Sequence, residues 1–201
     1  MEYKFLILFL RKWTTPFIIV AICLSSITIA SAHPAVDAKD IGESLSLNVQ
    51  PVDYPVLKKM LPKVRGFNQV DSRGEQTAIV GIRISQAEAE YEGRGDRRLT
   101  VKIIDYGSVK GLVGKATLAW MSAEIDRKSD TGYERTTKYR GYQAFEKYSK
   151  PEKEGSLSLI VEERFLVTVD GEDVDMKDIK RAMDAVNLKK LGRMRNHGVE
   201  E

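Results

Sequence analysis

The side chains that most often carry out chemistry in proteins are scarce in this 201-residue chain. Its two histidines are His33 and His197, and its one cysteine is Cys23. Both histidines lie near the ends of the part that follows residue 32, and Cys23 lies in the N-terminal segment that cleavage would remove. A Ser-His-Asp triad, a histidine-rich zinc site and a thiol nucleophile therefore lose the residues that they usually use. We expect no catalytic residue, no bound metal and no cofactor in this protein.

Tyrosines concentrate in a segment whose spacing is typical of two neighbouring β-strands. Side chains alternate across a strand, so Tyr133 and Tyr139 share one face, and Tyr142 and Tyr148 share one face of the next strand. If these faces coincide, they form an aromatic surface beside basic residues that suits a glycan or a peptide. Packing within the sheet is the simpler interpretation, because aromatic residues are enriched in strands. Our hypothetical ligand-binding residues are Tyr133, Arg135, Tyr139, Tyr142 and Lys147.

Carboxylates offer an alternative chemistry. Glu88, Glu90 and Glu92 fall on one strand face, and paired carboxylates can act as general acid and base. This spacing is more typical of the wet face of a sheet, but it leaves open a hydrolase that uses Glu88 and Glu90. The acidic loop 170–175 fits the calcium-loop pattern poorly because Gly171 comes too early. We expect that loop to be a turn in which Asp175 caps the next helix.

The first 32 residues have the layout of a secretory signal peptide. Three basic residues precede an apolar run over 17–30, and Ala30-Ser31-Ala32 provides a small-residue cleavage site. The run is shorter than the stretch of about 20 residues that spans a bilayer. Cleavage would produce a periplasmic or secreted protein that begins at His33. Retention of the segment would instead produce a membrane-tethered scaffold outside the cytoplasm.

The remaining composition excludes one class of partner and bounds the domain organisation. Without residues 1–32 the chain carries 29 basic and 28 acidic residues, so it is almost neutral. Nucleic-acid binding needs clustered positive charge, and we therefore expect no nucleic-acid partner. We divide the exported part into a linker (33–50), a single domain (51–191) and a frayed tail (192–201).

The elements that must position these residues follow from apolar periodicity. A helix begins near Pro55, a strand covers 76–92 with a bulge near Gln86, and a turn at 93–96 leads to a partner strand from Leu99. An apolar core helix follows at 109–125. Four short strands then cover 133–139, 142–148, 156–161 and 165–169, and a last helix follows Asp175. This order predicts an α+β fold, an antiparallel sheet of about six strands with helices packed on it.

A further set of motifs runs through the second half of the chain: Gly132-Tyr133-Glu134-Arg135-Thr136, Gly141, Tyr148, Arg164-Phe165, Val174-Asp175-Met176 and the segment 185–191, with Asp105-Tyr106-Gly107 upstream. In these motifs the chain resembles a group of uncharacterised bacterial secreted or periplasmic proteins. By element order, the group resembles the Mog1/PsbP-type αβα sandwich. The resemblance implies export and the absence of enzyme activity, and it carries over no functional residue. We therefore expect a non-enzymatic binding or accessory protein of the cell envelope, whose partner is a protein, a peptide or a glycan.

Overall fold

A computed structural model describes residues 49–79, 82–107 and 123–198. The signal segment, His33 and most of the linker lie outside the described residues. The core helix expected at 109–125 also lies outside them, except for its last three positions. Within the described ranges, no helix is both long enough and apolar enough to cross a membrane.

One antiparallel sheet of eight strands dominates the described part of the chain. In chain order the strands are β1 (Asn68–Ile79), β2 (Ile82–Glu92), β3 (Arg98–Asp105), β4 (Asp126–Lys128), β5 (Gly132–Tyr139), β6 (Tyr142–Ser149), β7 (Glu154–Val161) and β8 (Phe165–Glu172). Their spatial order is β1-β2-β3-β8-β7-β6-β5-β4. Two meanders, β1–β3 and β4–β8, therefore join where β3 pairs with β8.

Three short helices accompany the sheet in the described residues: α1 (Tyr54–Lys58), α2 (Met176–Ala185) and α3 (Leu188–Arg193). α1 has a proline in its first turn, as the sequence predicts. α2 ends where Val186 turns extended, and α3 restarts because the side chain of Asn187 accepts a hydrogen bond from the Lys190 backbone N–H at 3.0 Å. The last apolar helix of the sequence is thus two helices with a cap between them.

The expected α+β sandwich of about six strands is wrong. Strands hold 49% of the described residues and helices only 16%, so the fold is a sheet with small helical additions. The expected strand over 76–92 is two strands, because its first four residues belong to β1 and residues 82–92 to β2. Most of β1 and all of β4 are missing from the expectation, and these two strands form the edges of the sheet. β4 is exposed at all three positions, and β1 is polar at most of its twelve. A strand without a buried face shows no apolar alternation, so neither strand can be recognised by that signal.

The bulge expected near Gln86 is also wrong. β2 pairs with β3 without interruption from Ser85 to Glu92, and the sheet's irregularity lies in β1 between Gln69 and Asp71. The apparent change of parity arises because β2 carries apolar side chains on both faces. Half-buried Ile84 lies on one face, and buried Ala87 lies on the other.

The main core lies between one face of the sheet and α2. The alternating apolar residues of β3, β7 and β8 are buried there, as the sequence predicts. The antiparallel pairing of β2 with β3 and of β5 through β8 confirms the predicted hairpin and the predicted four-strand meander. The most deeply buried members are Leu99, Val101, Ile103, Leu157, Leu159, Val161, Phe165, Val167 and Val169. α2 adds Ile179, Ala182 and Met183 to this core. On the opposite sheet face, Phe145 and Ile160 form a second, smaller cluster.

A buried ion pair connects the segments around Gln50 and His197 to the sheet. Arg164, in the β7–β8 turn, donates from Nε and Nη2 to the two carboxylate oxygens of Asp105, at 2.8 and 2.9 Å. Its remaining N–H groups donate to the backbone carbonyls of Gln50, Arg195 and His197, at 3.2, 2.9 and 2.7 Å. All five donors of the guanidinium are thereby used.

The Asp105 carboxylate has hydrogen-bond partners besides Arg164. Its carboxylate also accepts hydrogen bonds from the backbone N–H groups of Val52 and Gly107, at 2.7 and 2.8 Å. Arg164 thereby contacts two carbonyl groups of the segment 192–201, for which the sequence predicts a frayed tail.

Candidate functional site

The tyrosines of β5 and β6 face the same side of the sheet. The register places Tyr133 opposite Tyr148 and Tyr139 opposite Tyr142. A two-residue turn sets this register, since Arg140 and Gly141 both have positive φ (53° and 87°), the combination of a type I′ hairpin turn. The rings of Tyr133 and Tyr148 lie 6.2 Å apart between centroids. The tyrosines of β5 and β6 therefore lie on one face of the sheet, as the hypothesis of an aromatic surface requires.

Lys147 lies apart from the other four hypothetical ligand-binding residues. It pairs with Glu134 and is exposed on the opposite face of the sheet, because its parity along β6 differs from that of Tyr142 and Tyr148. Tyr133, Arg135, Tyr139 and Tyr142 share the face that α2 covers. The five residues consequently do not form one continuous surface.

The hydroxyl groups of three of these four tyrosines, Tyr133, Tyr139 and Tyr148, already have hydrogen-bond partners within the chain. Tyr139 donates to a carboxylate oxygen of Asp184 at 3.0 Å, and Tyr148 donates to the carbonyl of Val174 at 3.1 Å. Tyr142 packs against the main core. All four rings are half-buried beside α2, so this part of the meander face is the flank of a helix rather than an open sheet.

A buried glutamate organises this flank. Glu146 is 1% exposed and accepts a hydrogen bond from the Tyr133 hydroxyl at 2.5 Å. Arg135 donates to the same carboxylate at 3.1 Å, and the Lys180 ammonium of α2 lies 3.0 Å from its other oxygen. The Arg135 guanidinium also lies over the Tyr133 ring, 4.9 Å from its centroid. We call Tyr133, Arg135, Glu146 and Lys180 the Glu146 cluster.

The pKa values of Glu146 and of the tyrosines Tyr133 and Tyr139 are all shifted away from neutral pH. Burial by itself would raise the pKa of Glu146, but hydrogen bonds from Tyr133 and Lys180 and the charges of Lys180 and Arg135 outweigh it, so this pKa is lowered. Burial, with the adjacent Glu146 carboxylate, raises the pKa of Tyr133. Burial and the hydrogen bond to Asp184 raise the pKa of Tyr139 to about 12. Glu146 therefore stays charged and both tyrosines stay protonated near neutrality, an arrangement that holds charge rather than transferring protons.

Sequence reasoning missed two members of the Glu146 cluster for different reasons. Glu146 alternates with Ala144 and Tyr148, so the period of two already places it on the tyrosine face. Lys180 has no comparable signal, because only the packing of α2 across β6 brings it to the carboxylate.

The carboxylates of the alternative hydrolase lie on the other sheet face. Glu88 is only 9% exposed, and its two oxygens are paired with Arg73 and, at 2.5 Å, with Lys102. Glu90 lies 3.7 Å from Arg73. Both carboxylates thus take part in an ion-pair network across β1, β2 and β3.

The acidic loop after β8 contains the expected helix start but not the expected cap bond. Asp175 occupies the N-cap position of α2, yet its side chain accepts no hydrogen bond from the helix. In the ranges that the structure describes, no three histidine, cysteine, aspartate or glutamate side chains come together to hold a metal ion.

Comparisons with known proteins returned no relative: no family model, no curated protein and no solved structure matches the chain.

Proposed function

We propose that this protein is a non-enzymatic binding domain of the bacterial cell envelope, exported by its N-terminal signal. Its partner is an acidic peptide segment that contacts the Glu146 cluster at the flank of α2. The observation that supports the proposal most directly is the charge of the Glu146 cluster, in which two cations share one buried anion.

The charge balance favours an anionic ligand. Glu146 is almost fully buried, whereas the side chains of Arg135 and Lys180 are 45% and 33% exposed. The cluster therefore presents one surplus positive charge at its rim. A carboxylate that approaches the rim meets both cations, while the only anion of the cluster lies beneath them.

Arg135 suits carboxylate recognition in its geometry. Its planar guanidinium lies over the Tyr133 ring, and only one of its N–H groups donates to Glu146. Its other N–H groups make no hydrogen bond within the described residues and can meet a carboxylate side by side, which is the geometry that arginine provides and lysine does not. The half-buried rings leave little face for a sugar to stack on, which favours a peptide over a glycan.

Binding of hexaglutamate, with hexaglutamine as the neutral probe, tests the proposal by calorimetry. We expect hexaglutamate alone to bind, with an affinity that falls as salt rises above about 0.15 M. Arg135→Ala should weaken binding by about tenfold, the loss of one hydrogen bond between charged groups. The matched control is Lys147→Ala, which removes a positive charge from the other sheet face.

Equal binding of the two peptides, or an equal loss in both variants, would contradict the proposal. Binding of a carboxylated oligosaccharide in place of hexaglutamate would move the partner to the glycans. No specific observation favours the carboxylate hydrolase, since both oxygens of Glu88 are already paired with cations.

A further inference from the structure

A second concave site lies at one end of the sheet, away from the Glu146 cluster. Three loops surround it: the β2–β3 turn, the β6–β7 turn and the β8–α2 loop. Its volume is about 380 Å³, within the range of about 300–1,000 Å³ common for pockets that bind small molecules. We call this site the end cleft. Three basic side chains line it, Arg94, Arg97 and Lys153, together with three acidic ones, Asp173, Asp175 and Asp178.

Four of these six charged side chains are paired with one another, and Asp178 is shared with Arg181 of α2. Arg97 donates to Asp178 at 2.5 Å, and its guanidinium lies over the Phe67 ring at 4.7 Å. The Lys153 ammonium lies 3.3 Å from a carboxylate oxygen of Asp173. These contacts join the loops to one another and to the start of α2.

Across the ranges that the structure describes, two of the six charged side chains, those of Arg94 and Asp175, make neither a hydrogen bond nor an ion pair. Asp175 is the more informative of the two, because an N-cap aspartate normally accepts a hydrogen bond from its helix, and this one accepts none. The end cleft therefore presents one unpaired cation from the β2–β3 turn and one unpaired anion from the β8–α2 loop.

The loops that carry these two charges are held in place. The Gly93 backbone N–H donates to the Arg97 carbonyl at 2.8 Å and closes the β2–β3 turn. The Val174 backbone N–H donates to the Lys153 carbonyl at 3.0 Å, and the Val174 carbonyl accepts from Tyr148. A ligand therefore meets a site whose backbone is already arranged, which lowers the ordering cost of binding.

We propose that the end cleft binds a small zwitterion of the size of a dipeptide with both ends free. Its carboxylate contacts Arg94 and its ammonium contacts Asp175. A purely anionic or purely cationic ligand is disfavoured, because an anion would face the unpaired Asp175 and a cation would face the unpaired Arg94.

Three probes test this assignment on the full exported chain: alanyl-alanine, its N-acetyl form and its C-terminal amide. Backbone amide chemical shifts measured by NMR report both affinity and location. We expect alanyl-alanine to shift the resonances of the three loops, and each blocked form to bind about tenfold more weakly, because each lacks one charge-assisted hydrogen bond.

Variants assign each end of the ligand. Arg94→Ala should make alanyl-alanine bind as weakly as its amide does to the unaltered protein. Asp175→Asn should make it bind as weakly as the N-acetyl form, and asparagine remains a good N-cap residue, so α2 is preserved. Asp96→Asn is the matched control, an exposed residue of the same turn that does not line the end cleft. Arg135→Ala should leave dipeptide binding unchanged, which separates this result from that of the proposed function.

The proposal is overturned if alanyl-alanine causes no shifts, if the three probes bind equally, or if Asp96→Asn weakens binding as much as Arg94→Ala does. A loss with only one of Arg94→Ala and Asp175→Asn also overturns it, because a zwitterion must engage both.

Discussion

Many polar side chains in the described part of this protein are hydrogen-bonded or ion-paired to one another, and Arg164 is the clearest example. Its guanidinium is 3% exposed, and its partner Asp105 is completely buried. A buried ion pair of this kind stabilises little relative to an apolar replacement, but it becomes costly when one member is left alone. The importance of Arg164 therefore lies in the charge and the carbonyl groups that its loss would expose.

Arg164→Ala should lower the free energy of unfolding by about 3–5 kcal/mol, because Asp105 remains buried as an uncompensated charge. Arg164→Lys should also destabilise the protein, since an ammonium cannot reproduce the two parallel bonds. Urea denaturation measures both effects. Arg98→Ala removes an exposed arginine paired with Glu172 and should cost less than about 1 kcal/mol. Equal costs in Arg98→Ala and Arg164→Ala would show that the pair at Arg164 is not effectively buried.

At the residue scale, the sequence predicts on which face of a strand a side chain lies, but not which residues that side chain contacts. Alternation places Tyr133, Tyr139 and Glu146 on one face, and it equally separates Lys147 from them. The partners of these residues come from elements far along the chain. Lys180 reaches Glu146 from α2, and no local pattern encodes that contact.

At the element scale, α2 is attached to the sheet by polar bonds at both flanks. Asp178 pairs with Arg97 of the β2–β3 turn, and Lys180 pairs with Glu146 of β6. Near its last turn, Asp184 accepts from Tyr139, which also donates to the carbonyl of Lys180 at 3.4 Å. The apolar face of α2 supplies the core, and these bonds determine where along the sheet the helix lies.

Tyr139→Phe should lower the free energy of unfolding by about 1 kcal/mol, because it removes the hydroxyl bonds to α2 and keeps the packed ring. Amide hydrogen exchange should become faster in α2 and remain unchanged in β3 and β8. Replacing Tyr139 and Tyr142 together with Ala should cost considerably more, since both rings pack against the core. If hydrogen exchange in α2 is unaffected by Tyr139→Phe, this tyrosine does not fix the helix.

The sequence predicts β5, β6 and β7 well, and their ends fall within two residues of the expected positions. Turn residues such as Arg140-Gly141 mark where these strands end, although β6 and β7 contain runs of consecutive buried residues. β1 and β4 have neighbours on one side only, and no buried residue is present in their described positions, so no apolar pattern marks them. The end cleft also has no signal in the sequence, because the residues that line it come from three loops that only the folded sheet brings together.

At the scale of the whole molecule, stability should decline at both pH extremes. The folded pKa of Glu146 is lowered, so its contribution is present above its ordinary pKa of 4.5 and is lost as pH falls through the lowered folded value. The folded pKa values of Tyr91 and Tyr139 are raised to about 12, with burial as the main cause. Their contribution is complete below pH 10, the ordinary tyrosine value, and is lost as pH rises towards 12.

Urea unfolding measured across pH tests both limbs. Glu146→Gln should flatten the acidic limb, and Tyr139→Phe should reduce the alkaline loss without altering the acidic one. A stability curve whose acidic limb is identical in Glu146→Gln would show that Glu146 does not govern acid unfolding.

The pairing of β3 with β8, which joins the two meanders, affects the order in which the chain can fold. The partners of Val101 and Ile103 are Val169 and Val167, which lie more than sixty positions later in the polypeptide. The centre of the sheet cannot form until that late segment is available, and distant pairings of this kind form slowly. A chain carried through a membrane pore with its N-terminus leading would stay loosely structured in transit and complete its fold only once nearly all of it has crossed.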